Sequence, residues 1–479
     1  MTTATPTLGA AVRSWTRTSP DAVAVRCGDD LTHRELDERT DAIAAAWIAD
    51  GVHVDDLVGV ELPNGLDAVL APVAAWKAGA TPLPLSPDLD PGERQAVLDL
   101  ARPVLVVSGP LPAHRYPPAH DPLPDLAASS WKAPTSSGST GRPEVVRAAT
   151  PARFDPRARV APFVPRRAVQ LVAGPLWHAA PFTYALRGLV TGHELVLLPR
   201  FDAGAWLRAV ARHRVTWRVL APSMMLAVWR HPDRAGTDVS SLAAVLHLGA
   251  RCAPWLKRAW IGWLGPQRVH ELYAGTESQG LAFTDGAGWL RRPGTVGRPL
   301  PGSEFRVVRP GPTELVDCAT GELGEVLMRR GTPTYSYLDA TARVRDGWHT
   351  LGDTGWLDEE GFLFIADRLE DLIRTGGSTV VPADVETVLE EHPSVRSAVV
   401  VGLPDDDLGE RVHAVVDATA DLTTAELDSW CARRLDPPQR PVSWSFADGP
   451  LRAQTGKVRR GRWRTAGPAG RRTGDDYDR

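Results

Sequence analysis

Helical and strand patterns alternate along this chain, and that alternation constrains the fold more than any other feature. Thr32 and Glu35 form a capping box ahead of Leu36, Ile43, Trp47 and Ile48 at helical spacing, with Gly51 as the stop, so a helix is expected over about 33–50. The apolar runs LVGVEL (57–62) and PVLVV (103–107) flank a second helical stretch, DAVLAPVAAWKAG (67–79). Strand, helix and strand in this order build βαβ units. The centre repeats the theme: RAVQLVAG (167–174), HELVLLP (193–199) and VTWRVLAP (215–222) read as strands around a helix at 202–214. The fold class is therefore α/β. Residues 109–134, rich in Pro, His and Asp, read as a surface loop.

From about 294 the texture turns to β material punctuated by Gly and Pro, and beyond Asp367 lies a compact α/β unit. That unit has a helix after Pro382, strands VRSAVVVG and RVHAVVD, and a helix capped by Thr423 and Glu426. We expect a large domain over 1–369, a small one over 370–466, and a polar, disordered tail at 467–479. At 479 residues the chain is long enough for more than one domain.

Composition narrows the function. The net charge of −4 supplies no basic footprint for a nucleic-acid backbone. The N-terminus has no apolar signal core, and no uncharged apolar run reaches the roughly 18 residues of a membrane span, so a cytoplasmic protein is expected. Cys27, Cys252, Cys318 and Cys431 are widely separated, which suggests neither a zinc site nor a disulfide framework. Only Lys77, Lys132, Lys257 and Lys457 among 54 basic residues are lysine, so each lysine marks a position where arginine was not used.

The densest run of hydroxyls and glycines is PTSSGSTGRP (134–143). Such a run turns backbone N–H groups toward one point, as a polyphosphate requires, although it is no Walker A sequence and by composition alone is equally a flexible linker. Three further segments accompany it: LYAGTE (272–277), TLGDTGWLDEEGFLFIADR (350–368) and PLRAQTGKVRR (450–460). In order and spacing these resemble the phosphate loop, YGxTE, TGD/GR and C-terminal GK motifs of the adenylate-forming (AMP-binding) superfamily. The resemblance extends over about 15–465. Within that family, LWHAAPFTYALRG and WKAPTSSGSTG are most similar to acyl-CoA ligases for bulky acids, including bile acids.

The resemblance implies a large N-terminal domain of stacked α/β subdomains and a small mobile C-terminal domain. It implies that a carboxylate and ATP give acyl-AMP and pyrophosphate, and that CoA then takes the acyl group as a thioester. Thr135, Ser136, Ser137, Gly138, Ser139, Thr140 and Gly141 would cradle phosphates. Tyr273 with the backbone of Gly249, Ala250 and Arg251 would hold adenine, and Asp353 with Arg368 the ribose. Glu277 would bind Mg²⁺, a hard cation suited to carboxylate and phosphate oxygens, with Thr276 near the α-phosphate. Lys457 would bridge carboxylate and α-phosphate oxygens during adenylation. His178 matches the meeting of acyl pocket and thiol tunnel, Glu370 the hinge, and Gly377 the glycine that passes pantetheine. Trp177, Phe182, Tyr184 and Leu281 are candidate acyl-pocket walls. The expected partners are a small carboxylic acid and possibly an acyl carrier protein, with no nucleic acid and no membrane span, in a monomer or homodimer.

One departure stands out. The family's loop commonly continues TGxPK, whereas here the run is Gly141-Arg142-Pro143-Glu144, an acid in place of a cation. Three readings stay open: a CoA ligase, an acyl-AMP former serving a carrier-protein phosphopantetheine or another nucleophile, and a degenerate nucleotide-binding protein.

Overall fold

The computed structural model describes residues 5–119, 121–136, 144–311, 314–338, 344–419, 422–447, 449, 451–452, 458 and 460–465. The first helix expected forms over His33–Ala49 with the Thr32/Glu35 capping box intact, and the second over Asp67–Lys77. Between and after them, Leu57–Val60 pairs in parallel with Thr81–Pro84 and with Leu105–Val107. These three strands form one small parallel sheet.

The main sheet contains fourteen strands among the described residues. Its parallel heart runs Glu194–Leu197, Val169–Val172, Trp217–Leu220, Ala244–His247 and Val269–Tyr273. Helices cover this heart, and their packing accounts for the complete burial of strands such as Ala244–His247. Beyond Val269–Tyr273 the pairing turns antiparallel through Ala282–Asp285 and Thr295–Pro299 to Leu363–Arg368 and Trp348–Leu357. The edge of the parallel heart is thus stitched to the Gly/Pro-rich β material that the sequence texture separates from it.

A third, three-stranded sheet bears directly on the candidate site. Glu144–Ala148 pairs antiparallel with Thr135–Ser136 on one side and Tyr335–Tyr337 on the other. A fourth sheet belongs to the C-terminal unit, where Val395–Asp405 and Gly409–Ala418 form a long hairpin packed on the helices Pro382–Glu390 and Thr424–Ala432. The Thr423/Glu426 capping box is present.

Residues 109–134 depart from the expected surface loop. Leu111, Ala128, Trp131, Lys132 and Ala133 are all below a tenth exposed. Trp131 packs between Trp76 and Phe182, and the Trp76 indole N–H donates to the Trp131 carbonyl at 2.7 Å. The end of the segment is drawn into the core because it becomes the extended lead into the Thr135–Ser136 strand: the Ala148 N–H donates to the Lys132 carbonyl at 3.0 Å. Residues 467–479 lie outside the described residues.

Candidate active site

Two carboxylates anchor the site, each fixed by a tyrosine hydroxyl. Glu277 follows the strand Val269–Tyr273 and is 7% exposed. Its Oε1 accepts from the Tyr337 hydroxyl at 2.7 Å, and its backbone carbonyl accepts from Thr334 Oγ1 at 2.8 Å. Gly275 makes this placement possible, since an added Cβ would lie 2.6 Å from Glu277 Oε2 and 2.7 Å from Leu351 Cδ2. Asp353 pairs in register with Arg368 across the Trp348–Leu357 and Leu363–Arg368 strands. Its Oδ1 lies 2.9 Å from Arg368 Nε, and its Oδ2 accepts from the Tyr273 hydroxyl at 2.6 Å. Arg368 also donates to the Leu351 carbonyl at 2.6 Å. The residues expected to hold adenine and ribose are therefore joined directly.

Burial, and after it Asp353, pushes the Tyr273 phenol well above its ordinary range, so at neutral pH it keeps its proton and donates a hydrogen bond to Asp353. Tyr337 is raised for the same kind of reason, burial first and then Glu277. Tyr335 is pushed up to about 12 by burial, with Glu277 and Glu144 contributing. Its hydroxyl meets His349 Nδ1 at 2.9 Å.

Tyr335, Tyr337, Thr334 and His349 are site residues that motif reading misses. A signal was present: tyrosine is scarce, six in the chain, and two stand at alternating positions in TYSY. Alternation on a strand places both on one face.

Glu144 lies on that same strip. It is the register partner of Ser136, whose hydroxyl donates to Glu144 Oε2 at 3.1 Å. The acid that replaces the loop lysine thus faces the phosphate-loop lead and acts on the same tyrosines as Glu277.

The other expected residues fall as follows. Gly249, Ala250 and Arg251 follow the strand Ala244–His247, and the Arg251 guanidinium reaches Asp384 of the C-terminal unit at 2.8 Å. Thr276 is half-buried beside Glu277. His178 occupies the N-cap of the helix Ala179–Val190, with Trp177 beside it at 6.1 Å between ring centroids. Phe182 is fully buried against Trp131, Tyr184 meets Trp217 edge-on at 5.9 Å, and Leu281 donates its N–H to Ser303 Oγ at 3.1 Å. Glu370 sits in the turn Leu369–Asp371, and its carbonyl accepts from Arg464 at 2.9 Å. Gly376 and Gly377 form the two-residue turn between Ile373–Thr375 and Ser378–Val380, with φ of +53° and +80°. The turn itself requires glycine there. Ser137, Gly138, Ser139, Thr140, Gly141 and Lys457 lie outside the described residues.

A buried charge network joins Asp367 and the turn Leu369–Asp371 to the C-terminal unit. Arg460 donates to Asp367 at 3.1 and 3.2 Å, Asp371 at 2.9 Å, Glu386 at 2.8 Å and the Val400 carbonyl at 3.2 Å. Burial works against charge on Glu386, but Arg460 and Arg452 outweigh it and hold that carboxyl down at about 2.

Two family models match the chain: AMP-binding enzyme over residues 12–134 and 133–338, and the AMP-binding enzyme C-terminal domain over 384–457. The chain belongs to the AMP-binding enzyme family. A feruloyl-CoA synthase from Amycolatopsis sp is 31% identical, covering 93% of this chain and 96% of that one. A 2-succinylbenzoate–CoA ligase from Bacillus licheniformis is 28% identical over 92% of this chain and 96% of its own. Among solved structures, o-succinylbenzoate CoA synthetase from Bacillus subtilis, in complex with its acyl-adenylate OSB-AMP, superposes with a TM-score of 0.82 at 23% identity, covering 95% and 98% of the two chains. The amide bond synthetase McbA from Marinactinospora thermotolerans superposes with a TM-score of 0.80 at 25% identity, covering 96% and 99%. The chain is an AMP-forming acid–thiol ligase: it activates a carboxylic acid with ATP as acyl-AMP and transfers the acyl group to CoA. No helix among the described residues is long and apolar enough to cross a membrane.

Proposed function

We propose that the acid is a bulky one, as the bile-acid-like sequence resemblance implies, and that the strip Ser136–Glu144–Tyr337–Glu277 is where ATP phosphates and the acid meet. The observation that carries this reading is Glu277, buried and held by Tyr337 beside the lead into the phosphate loop. One Glu277 carboxylate oxygen is engaged by Tyr337, and the donor set is hard oxygen throughout, which fits Mg²⁺ completed by phosphate and water. When bound, the ion would neutralise phosphate charge. Thr276 would hydrogen-bond near the α-phosphate, with Thr135, Ser136 and the 137–141 segment cradling the remainder. Asp353, fixed by Tyr273 and Arg368, is oriented to accept the ribose hydroxyls, and Gly249, Ala250 and Arg251 would line adenine.

Lys457 would neutralise the two anions as they join. The domain over 370–466 would rotate about Glu370 between the two half-reactions, bringing Gly377 to the thiol. His178, Trp177, Phe182, Tyr184 and Leu281 would bound the acyl and thiol path. We place the protein in the cytoplasm as a monomer or homodimer.

A second reading, transfer of the acyl group to an amine instead of CoA, is favoured by Glu144, whose negative charge suits a cationic acceptor better than the family's lysine would. Pyrophosphate release on a panel of bulky acids, with CoA, an amine or neither, separates the two. Thioester formation at the rate of pyrophosphate release supports the first reading. Pyrophosphate release with product only when an amine is supplied overturns it.

A further inference from the structure

Among the described residues, two cations at the helix Ala179–Val190 have no counter-ion. Lys132 is 8% exposed, and its Nζ donates to Thr183 Oγ1 at 2.6 Å. An ammonium carries three N–H groups, and among the described residues the other two meet no acceptor. Arg187, one helical turn beyond Thr183, forms no side-chain hydrogen bond or ion pair among the described residues. The Tyr184 hydroxyl, between them in sequence, is also without a hydrogen bond among the described residues. Both cations share one ring: Lys132 Nζ and the Arg187 guanidinium lie 4.9 and 5.1 Å from the Trp131 centroid.

Folded proteins keep buried donors paired and buried charges compensated. Here burial, with Arg187 adding its like charge, brings the Lys132 ammonium down to about 7, and no carboxylate opposes it. Burial also lowers Arg187, for which Tyr184 is the one opposing group, and raises Tyr184 to about 12. A cation–π contact offsets only part of such a cost. A buried ammonium with one neutral acceptor and no carboxylate, next to a half-buried guanidinium and phenol that meet no acceptor among the described residues, suits an anionic, acceptor-rich ligand.

Position says which anion. Residues 132–136 run extended against Glu144–Ala148, so alternation puts Lys132 on the same face as Ser136, roughly 13 Å back from it. Thr183 stands five residues, roughly 7.5 Å, along the helix from His178. Lys132 Nζ is tied to that helix through Thr183 and is separated from Ser136 by that length of extended chain, so ATP phosphates are the poorer occupant. An acid whose reacting carboxyl lies between Ser136 and His178 reaches the cluster with its far end.

We propose that Lys132, Arg187 and Tyr184 form an anion subsite for a second carboxylate on the acid substrate, remote from the carboxyl that is adenylated. This deepens the acid activation described above and rests on it.

The test compares dicarboxylic acids of graded length, aromatic and aliphatic, with their methyl half-esters. In pyrophosphate release, kcat/KM is expected to favour diacid over half-ester at least tenfold for one length. Lys132→Met should cut that preference at least tenfold, and Lys132→Arg should restore part of it. A purely structural lysine would leave the preference unmoved. Calorimetric titration of the same pairs into the ATP-free protein is the second measurement. If no acid is adenylated, tighter binding of a diacid by wild type, lost in Lys132→Met, still supports the subsite while the activity reading fails. No preference in either assay, equal preference in Lys132→Met, or a rise in the KM for ATP alone overturns the proposal. Should Lys132→Met fail to fold, Arg187→Leu carries the same comparison with the same expected loss.

Discussion

Lys132 shows how far a single side chain can be read from each direction. As one of four lysines it is conspicuous in the sequence, yet its segment reads there as surface loop, because Pro, His and Asp outnumber the few residues that enter the core. Its folded environment makes a measurable demand. The ammonium titrates near 7 when folded against an ordinary value near 10.5. Between those values the unfolded chain holds a proton that the folded chain lacks, so stability increases with pH; this gain is complete above the unfolded value and is lost as pH falls to about 7. The neighbouring Tyr184, pushed up to about 12, does not titrate in that window. Between pH 7 and 9, wild type should gain about 2 kcal/mol over Lys132→Met in urea unfolding. Equal pH dependence of the two proteins would mean that burial does not penalise the ammonium.

Glu144 makes the opposite demand. Its carboxylate stands beside Ser136 and contributes, with Glu277, to the raised tyrosines. A triphosphate in the cradle would meet repulsion there. Glu144→Lys should therefore raise the ATP–pyrophosphate exchange rate several-fold, by a like-charge relief of about 1 kcal/mol at a half-exposed position. A fall in exchange would mean that Glu144 contributes an interaction the reaction needs.

At the scale of elements, helices and strands with strong local signals were legible in the sequence and the tertiary strips were not. Both capping boxes form as written, since the signal is local and reciprocal. The βαβ order is equally local. What pairs Thr135–Ser136 with Glu144–Ala148 and then with Tyr335–Tyr337 is a return of the chain from almost two hundred residues away, and no periodicity encodes it. Likewise the motif residues Tyr273, Asp353 and Arg368 could be picked out by resemblance, whereas the Tyr273–Asp353 hydrogen bond depends on two distant strands arriving side by side. The hinge network has the same character. Arg460 pairs with Asp367, Asp371 and Glu386, none of them near it in sequence; Glu386 also meets Arg452 and Asp371 meets Arg464, so Asp367 depends most on Arg460. Removing Arg460 would leave the buried Asp367 without its cation, and breaking a buried pair in this way costs about 3–5 kcal/mol. Arg460→Met should lower the melting temperature of the transition that contains the C-terminal unit, followed by the fluorescence of Trp430 and Trp444. An unchanged transition would show that the three carboxylates are neutralised by other means.

Across the whole molecule, and besides the Arg460–Asp367 pair, two further sets of contacts among the described residues link the C-terminal unit to the large domain. Arg230, at the end of the helix Pro222–Arg230, donates to the carbonyls of Arg396, Val395 and Glu390 at 2.9, 3.0 and 3.3 Å. Arg251, next to the proposed adenine backbone, pairs with Asp384. Asp384 stands seven residues after Gly377, in the first turn of the helix that follows the glycine turn. The pair therefore ties the helix that follows the Gly377 turn to the proposed adenine backbone, and we propose that this docking favours thiol attack. Both partners are about a third to two-fifths exposed, so the contact is worth at most about 1 kcal/mol and is weakened by salt. That magnitude is too small to unfold anything and large enough to shift a balance between two domain orientations several-fold. Asp384→Ala should accordingly slow thioester formation two- to five-fold in single-turnover assays while single-turnover pyrophosphate release stays within error of wild type, so that acyl-AMP accumulates. Sodium chloride at 0.5 M should reduce the difference between the two proteins, because it screens the pair that only wild type has. Equal slowing of both half-reactions, or of neither, would mean that the contact supports the fold without selecting a domain orientation.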